Sequence, residues 1–227
     1  MTTLPWRQAM CEQMVPMLLP QVNRLNVYLE GFDFVPRALW HPKIHVINGN
    51  FFATWTALKS NAKMYWVAQG FVDNGHHFTV DDDIGYPPDY VSRSVDAIDR
   101  HGRAACVGYH GSIHLPPVGD YYKDRISHHF TKALDMETRV HTIGTGTLAW
   151  HTSTLKLTID DFKEFDDLDL RVAIAAQKQN VRMLCLARDA GYLTQLGDGA
   201  DPRMCSEHSS YKQRLAAIVN EHTWRLV

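Results

Sequence analysis

Apolar residues recur along this chain at two spacings, and each spacing predicts one kind of element. Helical spacing appears in residues 10–18 and from Leu168 to Gln179. It also appears after the Pro87-Pro88 pair, where Val91, Val95 and Ile98 form the predicted buried stripe. Short apolar runs rich in strand-forming residues separate these helices and occupy residues 25–29, 43–47, 77–81, 103–108, 139–143 and 181–187. This alternation predicts an α/β fold with a mostly parallel central sheet flanked by helices.

Composition and charge are those of one folded domain covering residues 1–227. The chain is 45% hydrophobic and 21% charged, and its formal net charge is -2, which argues against a broadly basic nucleic-acid-binding protein. No stretch approaches the roughly 18 to 20 apolar residues of a membrane span. The opening MTTLPWRQAM lacks the layout of a signal peptide. We therefore expect a cytoplasmic protein with no membrane span and no nucleic-acid partner.

The feature with the clearest chemistry is an acidic triplet, Asp81-Asp82-Asp83, directly after the strand-like HFTV. Carboxylates at i and i+2 of an extended segment point the same way, so Asp81 and Asp83 can converge on one hard divalent cation such as Mg²⁺ or Mn²⁺. The carboxyl ends of strands are also where open α/β sheets bind ligands. Taken alone, the triplet is better explained by a solvated acidic turn ahead of Pro87, because short motifs match by chance.

Several segments around the triplet resemble glycosyltransferases of the GT-A fold, most of all the small enzymes that build bacterial surface polysaccharides and their viral relatives. The resemblance is carried by LPWRQAMCEQMVPMLLPQVNRLNVYLEGFDFVP, NAKMYWVAQGFVDNGHHFTVDDDIGYPPDYV, CVGYHG, VHTIGTGTLAWHT and DDLDLRVAIAAQ, in that order. It implies a hexosyltransferase-like enzyme that uses Mn²⁺ or Mg²⁺. The implied donor is a nucleotide-diphosphate sugar, with a UDP-sugar favoured, and the implied acceptor is a hydroxyl of a glycan or glycoconjugate.

The same resemblance implies a donor site. Asp83 would ligate the metal directly, and Asp81 would contact the metal through water or contact the ribose. His208 would be a third metal ligand, although a surface-loop histidine is the simpler interpretation of that position. The residues implied for nucleotide-sugar binding are Pro5, Arg7, Lys63, Asp81, Asp82, Gly144, Thr145, Gly146 and Thr147.

Ordinary structural roles remain open for these residues. Lys63 is also explained as an exposed lysine at a helix end, and Arg7 as an exposed residue at a helix start. The run Gly144 to Thr147 is also explained as a tight turn. It is neither a GxGxxG motif nor a P-loop, so we expect no dinucleotide cofactor.

An inverting enzyme also needs a general base to deprotonate the acceptor hydroxyl. Asp169 is the preferred match to the late acidic residue of the family, with Asp167 as the second candidate. Acidic residues are also favoured before a helix by its dipole, which is the structural alternative. In a retaining enzyme this residue would only hold the sugar.

Two other functions compete with transfer. A non-catalytic carbohydrate- or nucleotide-binding protein on a degenerate GT-A fold would keep the same segments. A sugar nucleotidyltransferase needs a glycine-rich, basic phosphate loop near its first strand, and LPWRQAMCEQ has neither the glycines nor the lysine.

Overall fold

The structure is a computed structural model that describes residues 1–51, 59–70, 74–162, 167–197 and 209–227. The described helices share amphipathic or buried sequences and are α1 (Gln8–Leu18), α2 (Tyr65–Ala68), α3 (Tyr90–Arg100), α4 (Leu168–Lys178) and α5 (Ser209–Asn220). The described strands are short and are β1 (Thr2–Thr3), β2 (Leu25–Leu29), β3 (Ile44–Asn48), β4 (His76–Phe78), β5 (Ile84–Gly85), β6 (Ala105–Gly108), β7 (Gly111–His114), β8 (Arg125–His128), β9 (Thr138–Arg139), β10 (Thr142–Ile143), β11 (Ala149–His151), β12 (Arg182–Cys185) and β13 (Thr194–Gln195).

The first sheet is parallel and has the order β1-β2-β3. Thr2 pairs with Tyr28, and β2 and β3 pair from Leu25 with Ile44 to Leu29 with Asn48. Helix α1 connects β1 to β2 and buries Cys11, Met14, Val15 and Leu18. A helix between neighbouring parallel strands is the βα unit that the spacing of apolar residues predicts.

The second sheet is mixed, which corrects the expectation of a mostly parallel central sheet. Its order is β4-β11-β6-β12-β9, and only β6 and β12 run parallel to each other. β11 is antiparallel to both β4 and β6, and β9 is antiparallel to β12. Parallel neighbours need a crossover segment, and a helix, α4, precedes β12 but not β9 or β11. The α/β class holds, with more antiparallel pairing than expected.

The predicted strand over residues 139–143 is split between two sheets. Arg139 pairs with Leu184 of β12, whereas Thr142 pairs with Ser112 of β7 in a smaller sheet of order β10-β7-β8. Between them, the N–H of Val140 still bonds to the first of these sheets and the N–H of His141 to the second. The segment predicted as one strand therefore crosses from one sheet to the other, immediately before the Gly144 loop.

The buried stripe of α3 is shifted by one residue from the predicted one. Ile98 is buried as expected, but Val91 and Val95 are only half-buried, and Tyr90, Ser94 and Ala97 take the core positions. The Tyr90 ring lies 4.7 Å from that of Tyr86 and 5.6 Å from that of Tyr109, centroid to centroid. Packing of these three rings decides which face of the helix is turned inward. None of the helices in the described ranges is both long enough and apolar enough to cross a membrane.

Candidate functional site

The acidic triplet lies in the segment between β4 and β5, and its three side chains differ in exposure. Asp82 is 2% exposed at its side chain, whereas Asp81 and Asp83 are 30% and 24% exposed. The middle carboxylate therefore points into the protein and the outer two point outward, as the alternation predicts. Asp82 and Asp83 themselves sit in a turn, so the extended conformation ends at Asp81.

Arg7 joins the triplet to the first βα connection. Its Nε lies 3.0 Å from Asp82 Oδ1, and its other arm forms an ion pair with Asp83. Pro5 begins the short 3-10 turn that carries Arg7, where its restricted φ suits the first position of a helical turn. Pro5 is exposed and serves to orient Arg7, which is partly buried rather than the exposed helix-start residue of the alternative.

Lys63 forms an ion pair with Asp81 on the other side of the triplet. Its side chain is 10% exposed, which excludes the interpretation as an ordinary surface lysine. Burial lowers the pKa of Lys63, but the neighbouring Asp81 carboxylate outweighs it and the net pKa is raised. Burial conversely raises the pKa of Asp81, and Lys63 reverses this to a net lowering. Both groups are thus charged at neutral pH.

The other two carboxylates are harder to ionise. Burial raises the pKa of Asp82 to about 6, although Arg7 opposes the shift. Burial and then the negative charge of Asp81 raise the pKa of Asp83. The triplet therefore carries mutual repulsion that Arg7 and Lys63 only partly offset, and an added cation would stabilise it further.

The glycine-threonine loop, residues 144–147, packs directly onto the triplet. A Cβ placed on Gly146 would lie 3.0 Å from Asp81 Cγ and 3.0 Å from Ile84 Cδ1, and closer still to one carboxylate oxygen of Asp81. The Tyr86 hydroxyl donates to the Gly146 carbonyl at 2.6 Å and accepts from the Asp81 N–H at 2.8 Å. A glycine is therefore needed at position 146, because the loop approaches the Asp81 carboxylate too closely for a side chain. Tyr86 connects the loop to the acidic triplet.

The remaining residues of the loop hold its shape. Thr147 is buried, and its hydroxyl accepts from the N–H groups of Tyr109 at 3.0 Å and His110 at 3.1 Å. The Gly144 N–H donates to the His110 carbonyl at 2.8 Å. These contacts support the tight-turn interpretation for Thr147 and Gly144.

Asp169, in the first turn of α4, is brought to the same loop. Its Oδ1 accepts from the Thr145 N–H at 2.8 Å. Burial raises its pKa, the hydrogen bonds from Thr145 and the charge of Lys63 oppose the rise, and Asp81 adds to it. Asp169 thus bonds to Thr145, and the next residue of the loop, Gly146, packs on Asp81. The loop therefore connects this carboxylate to the triplet.

Asp167, the second candidate base, has a different environment. It is buried at the start of α4, and its Oδ2 lies 2.8 Å from Nε of Arg171 in the same helix. This contact is the helix-start role of the structural alternative. Asp169 is therefore the better placed of the two.

The carboxylates fit a hard cation in donor type. Asp81 and Asp83 are partly exposed and offer oxygen ligands, which Mg²⁺ and Mn²⁺ prefer. His208, the expected third ligand, lies outside the described residues. Within the ranges that the structure describes, no group of three or more His, Cys, Asp or Glu side chains is placed to hold a metal. A cation here would share its shell with water and ligand oxygens.

No family model matches the chain, and no curated protein matches it in sequence at a significant level. The function therefore has to be argued from the site itself.

A cavity of about 580 Å³ lies away from this chemistry. Among the residues that the structure describes, it is bordered by the start of β2, at Leu25, and by β4, and it shares Lys63 with the site. Ligands of open α/β sheets bind at the opposite, carboxyl ends of strands. We accordingly place the functional site at the triplet and not in this cavity.

Tyr86 lies in a segment that carries the resemblance, but the sequence assigns it no role, and the structure adds it to the site. Its ring is buried beside Tyr90, so its hydropathy signal is that of a core residue. A tyrosine hydroxyl in a core needs a hydrogen-bond partner, which is the only general signal pointing to such a role.

Substituting Gly146 by alanine is expected to weaken nucleotide binding by at least about tenfold. The added methyl would displace the Asp81 carboxylate, since a clash at 3.0 Å or less cannot be absorbed without a shift. Gly144→Ala is the matched control, because its nearest neighbour would be His110 Cβ at an ordinary 3.4 Å. Calorimetric titration of nucleotide into both variants checks this; equal affinities in the two would show that the approach of Gly146 to Asp81 has no role in binding.

Proposed function

We propose that the protein is a metal-dependent glycosyltransferase that moves a sugar from a nucleotide-diphosphate sugar to a hydroxyl of a glycan acceptor. The observation that carries the proposal is the convergence of Asp81, Asp83, Arg7, Lys63 and Asp169 around one glycine-containing loop. The parallel β1-β2-β3 sheet and the acidic segment after β4 support a GT-A fold, and a UDP-sugar is the favoured donor.

The two cations are suited to a diphosphate. Lys63 and Arg7 approach the triplet from two different segments, and each pairs with a partly exposed carboxylate. A bound diphosphate would compete for these cations, and Asp81 and Asp83 would then be available to hold Mg²⁺ or Mn²⁺. When bound, such an ion neutralises charge on the leaving diphosphate. Arg7 has the planar fork of donors that suits phosphate oxygens.

Asp169 is suited to act on the acceptor. Its carboxylate has a raised pKa and is held in place by hydrogen bonds from Thr145. A base with a pKa closer to neutrality takes the hydroxyl proton more effectively during attack. In this arrangement Thr145 positions the base, and Gly146 allows the donor close to the loop.

The sugar-nucleotidyltransferase alternative has less support. After β1 the chain enters the Pro5–Arg7 turn, and Arg7 is engaged by Asp82 and Asp83. A phosphate loop of backbone N–H groups needs glycines at that turn, and this segment contains none.

Calorimetric titration of UDP, GDP and CMP, each with and without Mn²⁺, tests the proposal on the full chain. We expect Mn²⁺-dependent binding of one nucleotide, with UDP favoured, because the carboxylates bind the diphosphate through the ion. Asp83→Ala should abolish the Mn²⁺ dependence. Asp96→Ala, an exposed carboxylate on α3, is the matched control and should leave it intact.

Each outcome separates the alternatives. Absence of binding by all three nucleotides would refute the donor site. Nucleotide binding without hydrolysis of any UDP-sugar in the presence of Mn²⁺ would instead support a non-catalytic binding protein.

A further inference from the structure

A second group of charged and aromatic side chains lies on β8, on α5 and on the segment between β7 and β8. The Arg125 guanidinium carbon is 4.9 Å from the ring centroid of Tyr121 and 5.0 Å from that of Tyr122. Lys212 Nζ approaches the Tyr122 ring as well, at 5.8 Å from its centroid. Two cations from different elements thus meet at one tyrosine ring.

Neither cation has a carboxylate partner in the part of the chain that the structure describes. Arg125 and Lys212 form no ion pair there. The Arg125 side chain also has a buried donor, Nε, without a hydrogen-bond acceptor. Like charges around one ring repel, and an unsatisfied buried donor costs free energy. An anion bound between the two cations would relieve both effects.

The acidic residues closest along the chain are used elsewhere. Asp124 Oδ2 accepts from the N–H groups of Gly119 at 2.7 Å and Asp120 at 2.8 Å. Asp120 Oδ1 accepts from the Tyr122 N–H at 2.9 Å, and its other oxygen lies 3.9 Å from Lys123 Nζ. These contacts close a turn in which both carboxylates are held away from Arg125.

The two tyrosines connect this group to the proposed base. Burial and then the charge of Asp169 raise the pKa of Tyr121. Burial raises the pKa of Tyr122, with Arg125 opposing and Asp169 adding to the rise. His110, which neighbours Gly144 of the loop, also lies within reach of the Arg125 charge. Tyr121 packs in the same hydrophobic cluster as Leu170, the residue that follows Asp169 in α4. Strand β8, which carries Arg125, pairs with β7, and β7 also pairs with β10, the strand that leads into the loop. Arg125 therefore lies on the sheet that leads into the loop.

We propose that Arg125 and Lys212 bind an anionic substituent, a carboxylate or a phosphate, of the acceptor sugar. Arg125 would supply a planar fork of donors, Lys212 a second positive charge, and Tyr122 a ring against which a sugar can pack. This inference rests on the proposed function for the identity of the acceptor, but the anion site itself does not. It makes the enzyme selective for acidic acceptors over neutral ones.

Titration of glucuronate, glucose 6-phosphate and glucose into the full chain, followed by NMR, tests the site. We expect at least one of the two anionic sugars to bind at least about tenfold more tightly than glucose, since charge-assisted hydrogen bonds exceed neutral ones. Preference for glucuronate would identify a carboxylate, and preference for glucose 6-phosphate a phosphate. Equal binding of all three sugars, or binding of none, would overturn the proposal.

Two variants and one control locate the binding. Arg125→Gln should weaken binding of the preferred anionic sugar by about tenfold, and Lys212→Gln should weaken it by about threefold. Lys123→Gln removes a lysine that is 83% exposed two positions before Arg125, and should change nothing. Lys212 lies on a helix surface and is half-buried, so we expect Lys212→Gln to fold. This variant therefore still tests the site if Arg125→Gln does not fold. Unchanged affinity in a folded variant of either cation would refute the assignment.

UDP titration into the same variants separates this inference from the proposed function. We expect wild-type affinity for UDP in both, because the diphosphate is bound at Lys63 and Arg7. An anionic sugar that binds through Arg125 while no nucleotide binds would leave the anion site standing and refute the glycosyltransferase. Nucleotide binding with no preference for an anionic sugar would refute the anion site and leave the proposed glycosyltransferase standing.

Discussion

Replacing Asp169 by asparagine is expected to lower the rate of sugar transfer by roughly a hundredfold or more, while the affinity for nucleotide stays nearly unchanged. Asparagine keeps the oxygen that accepts from the Thr145 N–H, at 2.8 Å in the wild-type protein, so the loop keeps its position. What the variant loses is a group able to take the acceptor proton. Initial rates of transfer and calorimetric nucleotide affinity, measured on the same preparation, check the result.

The pH dependence gives a second readout of the same substitution. Burial raises the pKa of Asp169, and only the ionised carboxylate acts as a base. The wild-type rate should therefore fall as the pH is lowered through that raised pKa, and the Asp169→Asn variant should lose this acidic limb. Asp167→Asn is the matched control, because Asp167 is paired with Arg171 in its own helix. Full activity of Asp169→Asn would return Asp169 to a positioning role for Thr145.

Replacing Arg7 by methionine is expected to destabilise the folded protein by about 3 kcal/mol at pH 8, because it leaves a buried carboxylate without its cation. The Asp82 side chain is 2% exposed and lies 3.0 Å from Arg7 Nε, so water cannot replace the lost partner. Chemical denaturation of the wild type and the variant measures the loss. A change below about 0.5 kcal/mol would contradict the assignment of Arg7 as the counterion of Asp82.

The loss should depend on pH in a defined direction. Burial raises the pKa of Asp82 to about 6 in the folded state even with Arg7 present, above the ordinary value of 3.8. The folded state therefore binds the proton more readily than the unfolded state, and this group's contribution to stability decreases as the pH rises from about 4 to about 6. Removal of Arg7 raises the pKa of Asp82 further, so the variant should recover stability on acidification. In the double variant with Asp82→Asn, the effect of removing Arg7 should be much smaller.

The elements with strong periodicity are those that the sequence predicts best. Helices α1 and α4 and strands β2 and β12 lie within a few residues of their predicted positions, since each has a long apolar face or a run of strand-forming residues. The direction of pairing is not encoded in that signal. β11 is not among the predicted strands, and its antiparallel pairing with β6 is consistent with the absence of a crossover helix before it.

The candidate site divides in the same way. Asp81, Asp83, Arg7 and Lys63 are charged residues next to predicted strand or helix ends, and the structure brings them together. Arg125 and Tyr122 follow a segment without periodicity, and tertiary structure brings them together with Lys212 of α5. Distinguishing Asp169 from Asp167 likewise needs the positions of Thr145 and Arg171, which are set by tertiary packing.

The hydroxyl of Tyr86 makes the two halves of the site mechanically dependent on each other. It bonds to the Asp81 N–H at 2.8 Å and to the Gly146 carbonyl at 2.6 Å, so the acidic segment and the loop cannot separate without breaking a buried hydrogen bond. If ligand binding moves one segment, the other must move with it, or the free energy of the buried hydrogen bond is lost. The positions of the acidic segment and of the loop are thereby thermodynamically linked, so a ligand that shifts one of them also changes the free energy of the other.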